Sequence, residues 1–183
     1  TGATQRPAAT CSGGVANNGG KDQGSVNASI GRGSRMLALQ EISDRLELLD
    51  LVHAYASAVD SRDYAAVATV FTPDARVECA AFGGPDGGVE EMLEWASSGI
   101  TVFAASHHLT ANHRFVIDGD NATGVVMCFN PMQWNTMPGD PDRLCVMGLY
   151  YHDEYERHDG KWLIASRVMK RTYAMTNIVS APA

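Results

Sequence analysis

Leu48-Leu-Asp-Leu-Val-His-Ala-Tyr-Ala-Ser-Ala-Val-Asp60, followed by Ser61-Arg-Asp-Tyr-Ala-Ala-Val-Ala-Thr-Val-Phe-Thr-Pro-Asp-Ala75, is the stretch from which the fold is read. Its first half continues a periodic run. Leu39, Ile42, Leu46, Leu49 and His53 recur at helical spacing, with Glu41, Asp44, Arg45 and Glu47 between them. This predicts an amphipathic helix from near Leu37 to about Val59, with that stripe as its apolar face. A second short helix follows, with Asp63 as candidate N-cap and Val67, Ala68 and Phe71 facing inward. Pro73 and Asp74 end it.

Working outward, Ala75 to Ala81 reads as a strand and Gly83 to Gly88 as a loop. Val89 to Ser98 reads as a third helix with Val89, Met92, Leu93 and Ala96 on one face. Leu109 to Ile117 and Ala122 to Phe129 alternate as strands around an Asp118-Gly-Asp-Asn121 hairpin turn. Residues 130–141 hold three prolines and read as a long loop over an opening. Leu144 to Arg157 and Trp162 to Tyr173 are long strands joined at His158-Asp-Gly-Lys161. Three helices followed by an antiparallel meander give an α+β class.

Residues 1–34 are small, polar and Gly-rich, and lack a core-forming pattern. They read as a disordered tail or an upstream extension, with Met36 as a candidate start, and residues 35–183 as one domain. The first residues carry no basic start or apolar segment of a secretory signal. No run approaches the ~20 apolar residues of a membrane span. The formal net charge of -7 and the lack of a basic cluster argue against nucleic acid and anionic membranes as partners. The widely spaced Cys11, Cys79, Cys128 and Cys145 match no zinc pattern, and the last three read as buried free thiols. His107, His108 and His113 lack zincin spacing, so no metal is expected, and elimination leaves a cytoplasmic location.

Two segments carry chemistry. Asp60 ends a small, apolar helical run; it is either a helix terminus capping the next turn or a carboxylate that orients a histidine. His107 and His108 are adjacent, so on a strand they point to opposite faces. Strict alternation groups Leu109, Ala111, His113, Phe115 and Ile117 on one side and His108, Thr110, Asn112, Arg114 and Val116 on the other. The pattern does not choose which face is the cavity. Tyr55 lies five residues before Asp60, about 140° around the helix, and reads equally as a core aromatic.

The two quoted runs, with His107-His-Leu-Thr-Ala-Asn112, Asp118-Gly-Asp-Asn-Ala-Thr-Gly124 and Tyr151-His-Asp-Glu-Tyr-Glu-Arg-His-Asp-Gly-Lys-Trp162, resemble the SnoaL-like group of the nuclear transport factor 2-like superfamily. The likeness spans roughly residues 37–175. It implies a cone-like α+β barrel, with the three helices packed on a curved antiparallel sheet around an apolar pocket. Within the group the pattern is similar to lyases: scytalone dehydratase, hexachlorocyclohexane dehydrochlorinase and bile-acid 7α-dehydratase. The resemblance implies an Asp60–His108 pair, with Tyr55 as a third catalytic group. It implies substrate contacts from Arg171 and Tyr173, to which Trp134 and Phe129 are added as aromatic candidates. The expected activity is a cofactor-independent lyase acting on a mostly apolar or aromatic small molecule. A polyketide cyclase or ketosteroid-type isomerase, and a non-catalytic binding or assembly module, are the alternatives. Apolar residues on both sides of the late strands, among them Val146, Met147, Leu163 and Ile164, predict an apolar outer face. The resemblance suggests a trimer, with a dimer second.

The tail generates one expectation. Deleting residues 1–34 should leave the thermal midpoint and the pocket chemistry unchanged, because the segment has nothing to contribute to a core. A melting experiment on the shortened chain checks this, and a large fall in midpoint contradicts it.

Overall fold

The periodic run forms α1 (Leu39–Ser61), and the computed structural model describes residues 36–136 and 143–179. The expectations for residues 1–34, and for Cys11 among them, lie outside the described residues. Helix α2 (Tyr64–Thr69) starts where Asp63 accepts the Ala66 N–H at 2.9 Å, the cap read from the sequence. Val67 is buried; Ala68, expected inward, is exposed. Helix α3 (Val89–Gly99) follows as expected.

The apolar face of α1 differs from the expected one. Leu39 and Leu46 are more than half exposed, whereas Asp44, Leu48, Val52 and Tyr55 are buried. The helix carries two stripes at helical spacing, and long-range pairing decides between them. Buried Asp44 meets the Arg157 guanidinium, which also lies 4.4 Å from the Trp162 ring. Of the expected stripe only Leu49 packs on the core; Leu39, Ile42, Leu46 and His53 are exposed.

Seven strands make one mixed sheet: β1 (Phe71–Glu78), β2 (Asp86–Gly88), β3 (Phe103–Ser106), β4 (Leu109–Asp118), β5 (Asn121–Trp134), β6 (Arg143–His158) and β7 (Lys161–Val179). Their order is β2-β1-β7-β6-β5-β3, with β4 also on β5. Strand β1 runs parallel to β7, so the sheet is not purely antiparallel as expected. It begins at Phe71, in place of Ala75, and takes Pro73 and Asp74 into the strand. Residues 130–134, expected as loop, continue β5: Asn130 pairs with Met147 and Met132 with Cys145. Both predicted turns form. Asp118 pairs with Asn121, and His158 with Lys161 across Asp159 and Gly160, which both have positive φ.

The concave face packs on the helices. Along β5 the buried residues are Ala122, Gly124, Val126, Cys128, Asn130 and Met132, at the strand period of two. Of the residues expected on an apolar outer face, Ile164 is fully buried and Met147 lines the cavity, so both point inward; the convex face carries other apolar side chains. Leu109, Phe129, Gly148 and Tyr173 are successive cross-strand partners on it, and the three side chains of that row are exposed.

Among the bulges of the sheet, two one-residue bulges decide which face the candidate site residues present. Between Ala111 and Arg114, β4 has one residue more than β5, and Asn112 takes φ 51°. Thr110 before it faces inward opposite Cys128, and Phe115 after it faces inward opposite Gly124. Strict alternation therefore fails at Asn112. The second bulge, at Thr172, lies between the pairs Arg171–Leu149 and Tyr173–Gly148. It sends Arg171 and Tyr173 to opposite faces, and the Thr172 hydroxyl donates to the Gly148 carbonyl at 2.8 Å.

Gly124 lets two buried rings close over the sheet. A Cβ there would come within 2.8 Å of Tyr155 and 2.9 Å of Phe115. Gly124→Ala should cost about 1–3 kcal/mol as overpacking, read as a lower urea midpoint. An unchanged midpoint would show that the rings part freely.

Candidate active site

Helix α1 ends on Arg62, whose left-handed backbone (φ 60°) turns the chain while its N–H caps the Ala58 and Val59 carbonyls. The Arg62 guanidinium reaches across to the Phe103 carbonyl, tying the helix end to β3. This places Asp60, in the last helical turn, against the junction of β3 and β4. A carboxylate there faces the negative end of the helix dipole. Three donors offset that. The His108 N–H lies 2.8 Å from Oδ2, and Ser106 Oγ and His108 Nδ1 lie 3.1 Å and 2.6 Å from Oδ1. Burial pushes the Asp60 carboxyl up, but these hydrogen bonds outweigh it and hold the group below the usual carboxylate range.

The carboxylate accepts only, so Nδ1 of the neutral His108 ring carries its proton and Nε2 carries the lone pair. The Asn130 amide donates to Nε2 at 2.9 Å, while Asn130 Oδ1 is buried without a partner. His108 is thus fixed on both nitrogens, with its side chain 10% exposed and Asp60 23%. His107 is exposed, and its backbone N–H donates to the Pro131 carbonyl at 3.1 Å.

His108 and Asn130 open onto a cavity of about 550 Å³. Its walls are mainly apolar, including Val59, Met92, Leu93, Met132 and Leu149. That size and character suit a small organic molecule. Tyr55 also lines it, stacked on the buried Arg167 guanidinium at 4.0 Å. Burial raises the Tyr55 hydroxyl, and the Arg167 charge only partly counters this, so it stays a proton donor at neutral pH. Tyr55 and His108 line the same cavity, and Asp60 stands behind the His108 ring. Arg171 lines the cavity with its side chain exposed, 5.8 Å from the Phe82 ring, and Trp134 lines it with its ring tilted against Phe103, centroids 4.6 Å apart. Phe129 and Tyr173, expected to bind substrate, are corrected by the structure. Phe129 is odd-numbered on a strand whose even residues face inward, and the Thr172 bulge turns Tyr173 outward. Both lie on the convex face. Among the described residues no group of three or more His, Cys, Asp or Glu gathers to hold a metal ion.

Sequence reading missed Ser106, Asn130 and the buried Arg167. Asn130 was hidden by Pro131, which marked the segment as loop. The even-numbered parity of Val126 and Cys128 is the signal that would have placed it.

The SnoaL-like domain model matches residues 40–168. The chain belongs to the SnoaL-like family. An uncharacterized protein of Mycobacterium tuberculosis is 38% identical over 138 residues, covering 75% of this chain and 92% of its own length. A putative scytalone dehydratase from Novosphingobium aromaticivorans is similar in structure, with TM-score 0.66, 17% identity, and coverage of 77% of this chain and 92% of that one. The hexachlorocyclohexane dehydrochlorinase LinA-type3 of Novosphingobium barchaimii gives TM-score 0.64 at 21% identity, covering 79% and 99%. This SnoaL-like domain therefore has the nuclear transport factor 2-like cone fold, which it shares with both of these structures. No helix among its described residues is long and apolar enough to cross a membrane.

The depressed Asp60 carboxyl sets an acid-side prediction. Its folded pKa lies below the ordinary value of about 3.9, so the stability it contributes is fully present above that pH and is lost as pH falls through the folded value. Asp60→Asn should therefore flatten the fall of stability below about pH 4. Urea midpoints from pH 2.5 to 7 measure this, and parallel curves for the two proteins would contradict it.

Proposed function

We propose that this domain is a cofactor-independent lyase, which removes a proton and a leaving group from adjacent carbons of a mostly apolar, ring-containing molecule. The observation that carries the reading is the Asp60–His108 pair, held in one tautomer at the wall of an apolar cavity. His108 Nε2 is the base. The Asn130 amide occupies its lone-pair direction, so the amide turns aside as the substrate C–H arrives. The C–H electron pair becomes the new double bond, and the leaving group departs with its own bonding pair. Asp60 stabilises the imidazolium that forms. A departing hydroxide takes its proton from that imidazolium, which restores the neutral base; a departing halide leaves as the anion, and the proton passes to solvent. Tyr55 donates a hydrogen bond to the leaving group or to a carbonyl. Arg171 holds a polar substrate group or developing negative charge. A cyclase or isomerase would use the same base, so the product decides between them.

Product analysis over a panel of ring alcohols, ring halides and ketosteroids is the test. For the true substrate, a new double bond with loss of water or halide is expected. His108→Ala should lower turnover by about 10²–10⁴, the usual worth of a positioned base. Asp60→Asn should lower kcat with the fold retained, and Tyr55→Phe should cost less than either, since one hydrogen bond is lost and the base remains. His107→Ala should stay close to the parent. Near-parent turnover in His108→Ala, or its loss in His107→Ala with folding intact, would reject the assignment.

A further inference from the structure

Among the described residues, Arg171 is the one permanently charged side chain on the cavity wall; no Asp, Glu or Lys lines it. That runs against the average of a chain whose formal net charge is -7. The guanidinium has no counter-ion and no hydrogen bond among the described residues, and the Phe82 ring lies 5.8 Å from it. It is exposed, so a ligand in the cavity can reach its donors. A cation set in mainly apolar walls concentrates its field inside the cleft. Its planar fork of N–H groups matches the two oxygens of a carboxylate.

Cross-strand pairing fixes where this cation stands relative to the base. Arg171, Leu149 and Cys128 are successive partners on β7, β6 and β5. Asn130, which donates to His108 Nε2, is the next inward residue of β5 after Cys128. Two strand spacings of about 4.8 Å and two residues of about 3.4 Å put the backbones of Arg171 and Asn130 about 12 Å apart. The base end has the opposite sign. There the Asp60 carboxylate stands behind the His108 ring, with Oδ1 2.6 Å from Nδ1. An anionic group is drawn to Arg171 and kept away from His108.

We infer that the substrate is a carboxylate-bearing ring compound, bound with its carboxylate on Arg171 and its reacting carbons toward His108. Carboxylic acids are ionised at neutral pH, so the charge is present when the ligand arrives. A neutral ring could enter either way round; the carboxylate gives it one direction. The inference deepens the lyase reading and rests on it only for the end at which the reaction occurs.

Binding tests it apart from the chemistry. 2-Naphthoate and its neutral counterpart 2-naphthamide, alike in size, are titrated into the full chain by calorimetry at neutral pH, in low and in high salt. Naphthoate should bind about fivefold tighter at low salt, and the margin should shrink as salt rises. Arg171→Met keeps an unbranched side chain and removes the charge. It should weaken naphthoate about fivefold and leave naphthamide unchanged, while Arg171→Lys keeps part of the margin. Thermal melts verify folding, and if Arg171→Met fails to fold, Arg171→Lys and the salt dependence of the parent carry the test. Equal or tighter binding of naphthamide, a full margin retained in Arg171→Met or unmoved by salt, or no binding of naphthoate would overturn the inference. Failure of the lyase reading would appear elsewhere, as absent elimination product with this binding pattern intact.

Discussion

The ion pair between Arg167 and Asp153 underlies the rest of the molecule. Arg167 Nε and Nη2 donate to the two Asp153 oxygens at 2.8 and 2.7 Å, and both side chains are fully buried. The guanidinium plane is flanked by Tyr55 from α1 and Tyr151 from β6, at 4.0 and 4.2 Å. Tyr155 donates to the same carboxylate at 2.8 Å. One cation thereby joins two neighbouring strands and the long helix beneath the cavity. Taking both charges from water is expensive, and loss of either partner would strand the other, at a cost of about 3–5 kcal/mol. The arrangement resists sliding of α1 on the sheet, because the Tyr55 ring is held by a cation–π contact as well as by packing. Asp60 is five residues, about 1.4 turns, further along the same helix, so its position inherits that rigidity.

Much of the fold was legible because its signals are local. The Asp63 cap, the Asp118–Asn121 and His158–Lys161 turns and the period of β6 each depend on residues a few positions apart. What escaped depends on distant partners. The buried face of α1 is chosen by Asp44 meeting Arg157, more than a hundred residues later, and no pattern within the helix announces that pairing. Pro131 reads as a strand breaker, since it has no N–H to give. Here it is tolerated where the neighbour of β5 changes from β4 to β3, and its carbonyl serves the His107 N–H instead. For the site, family likeness put Asp60 and His108 together, but alternation could not choose the cavity face. The family likeness paired Tyr173 with Arg171 two residues earlier, and the two share a face only on an unbulged strand.

The pair of Asp60 and His108 also shows how a carboxylate is kept at an unfavourable address. It stands at the helix end where the backbone carbonyls gather, which a structural acid has reason to avoid. The β3–β4 junction provides for it a hydroxyl, a backbone N–H and a ring nitrogen. The ring that steadies the carboxylate is also the ring whose other nitrogen faces the cavity. In the reaction proposed above, support and base would come from one side chain, and the junction need only be stiff in one place.

The bulges at Asn112 and Thr172 give the sheet something like a reading frame. On the core side of each, β4 and β7 alternate in the phase that packs Phe115, Ile117, Met169 and Arg167 inward. Beyond them the count is shifted by one. His108 lies past the first bulge and is brought into the cavity by the shift; Tyr173 lies past the second and is carried out of it. Loss of a single residue at either place would leave the strand's hydrogen-bonded length almost unchanged while exchanging the inside and outside of everything past it. Short indels at these two positions are therefore where relatives of this fold could trade cavity residues without disturbing the core.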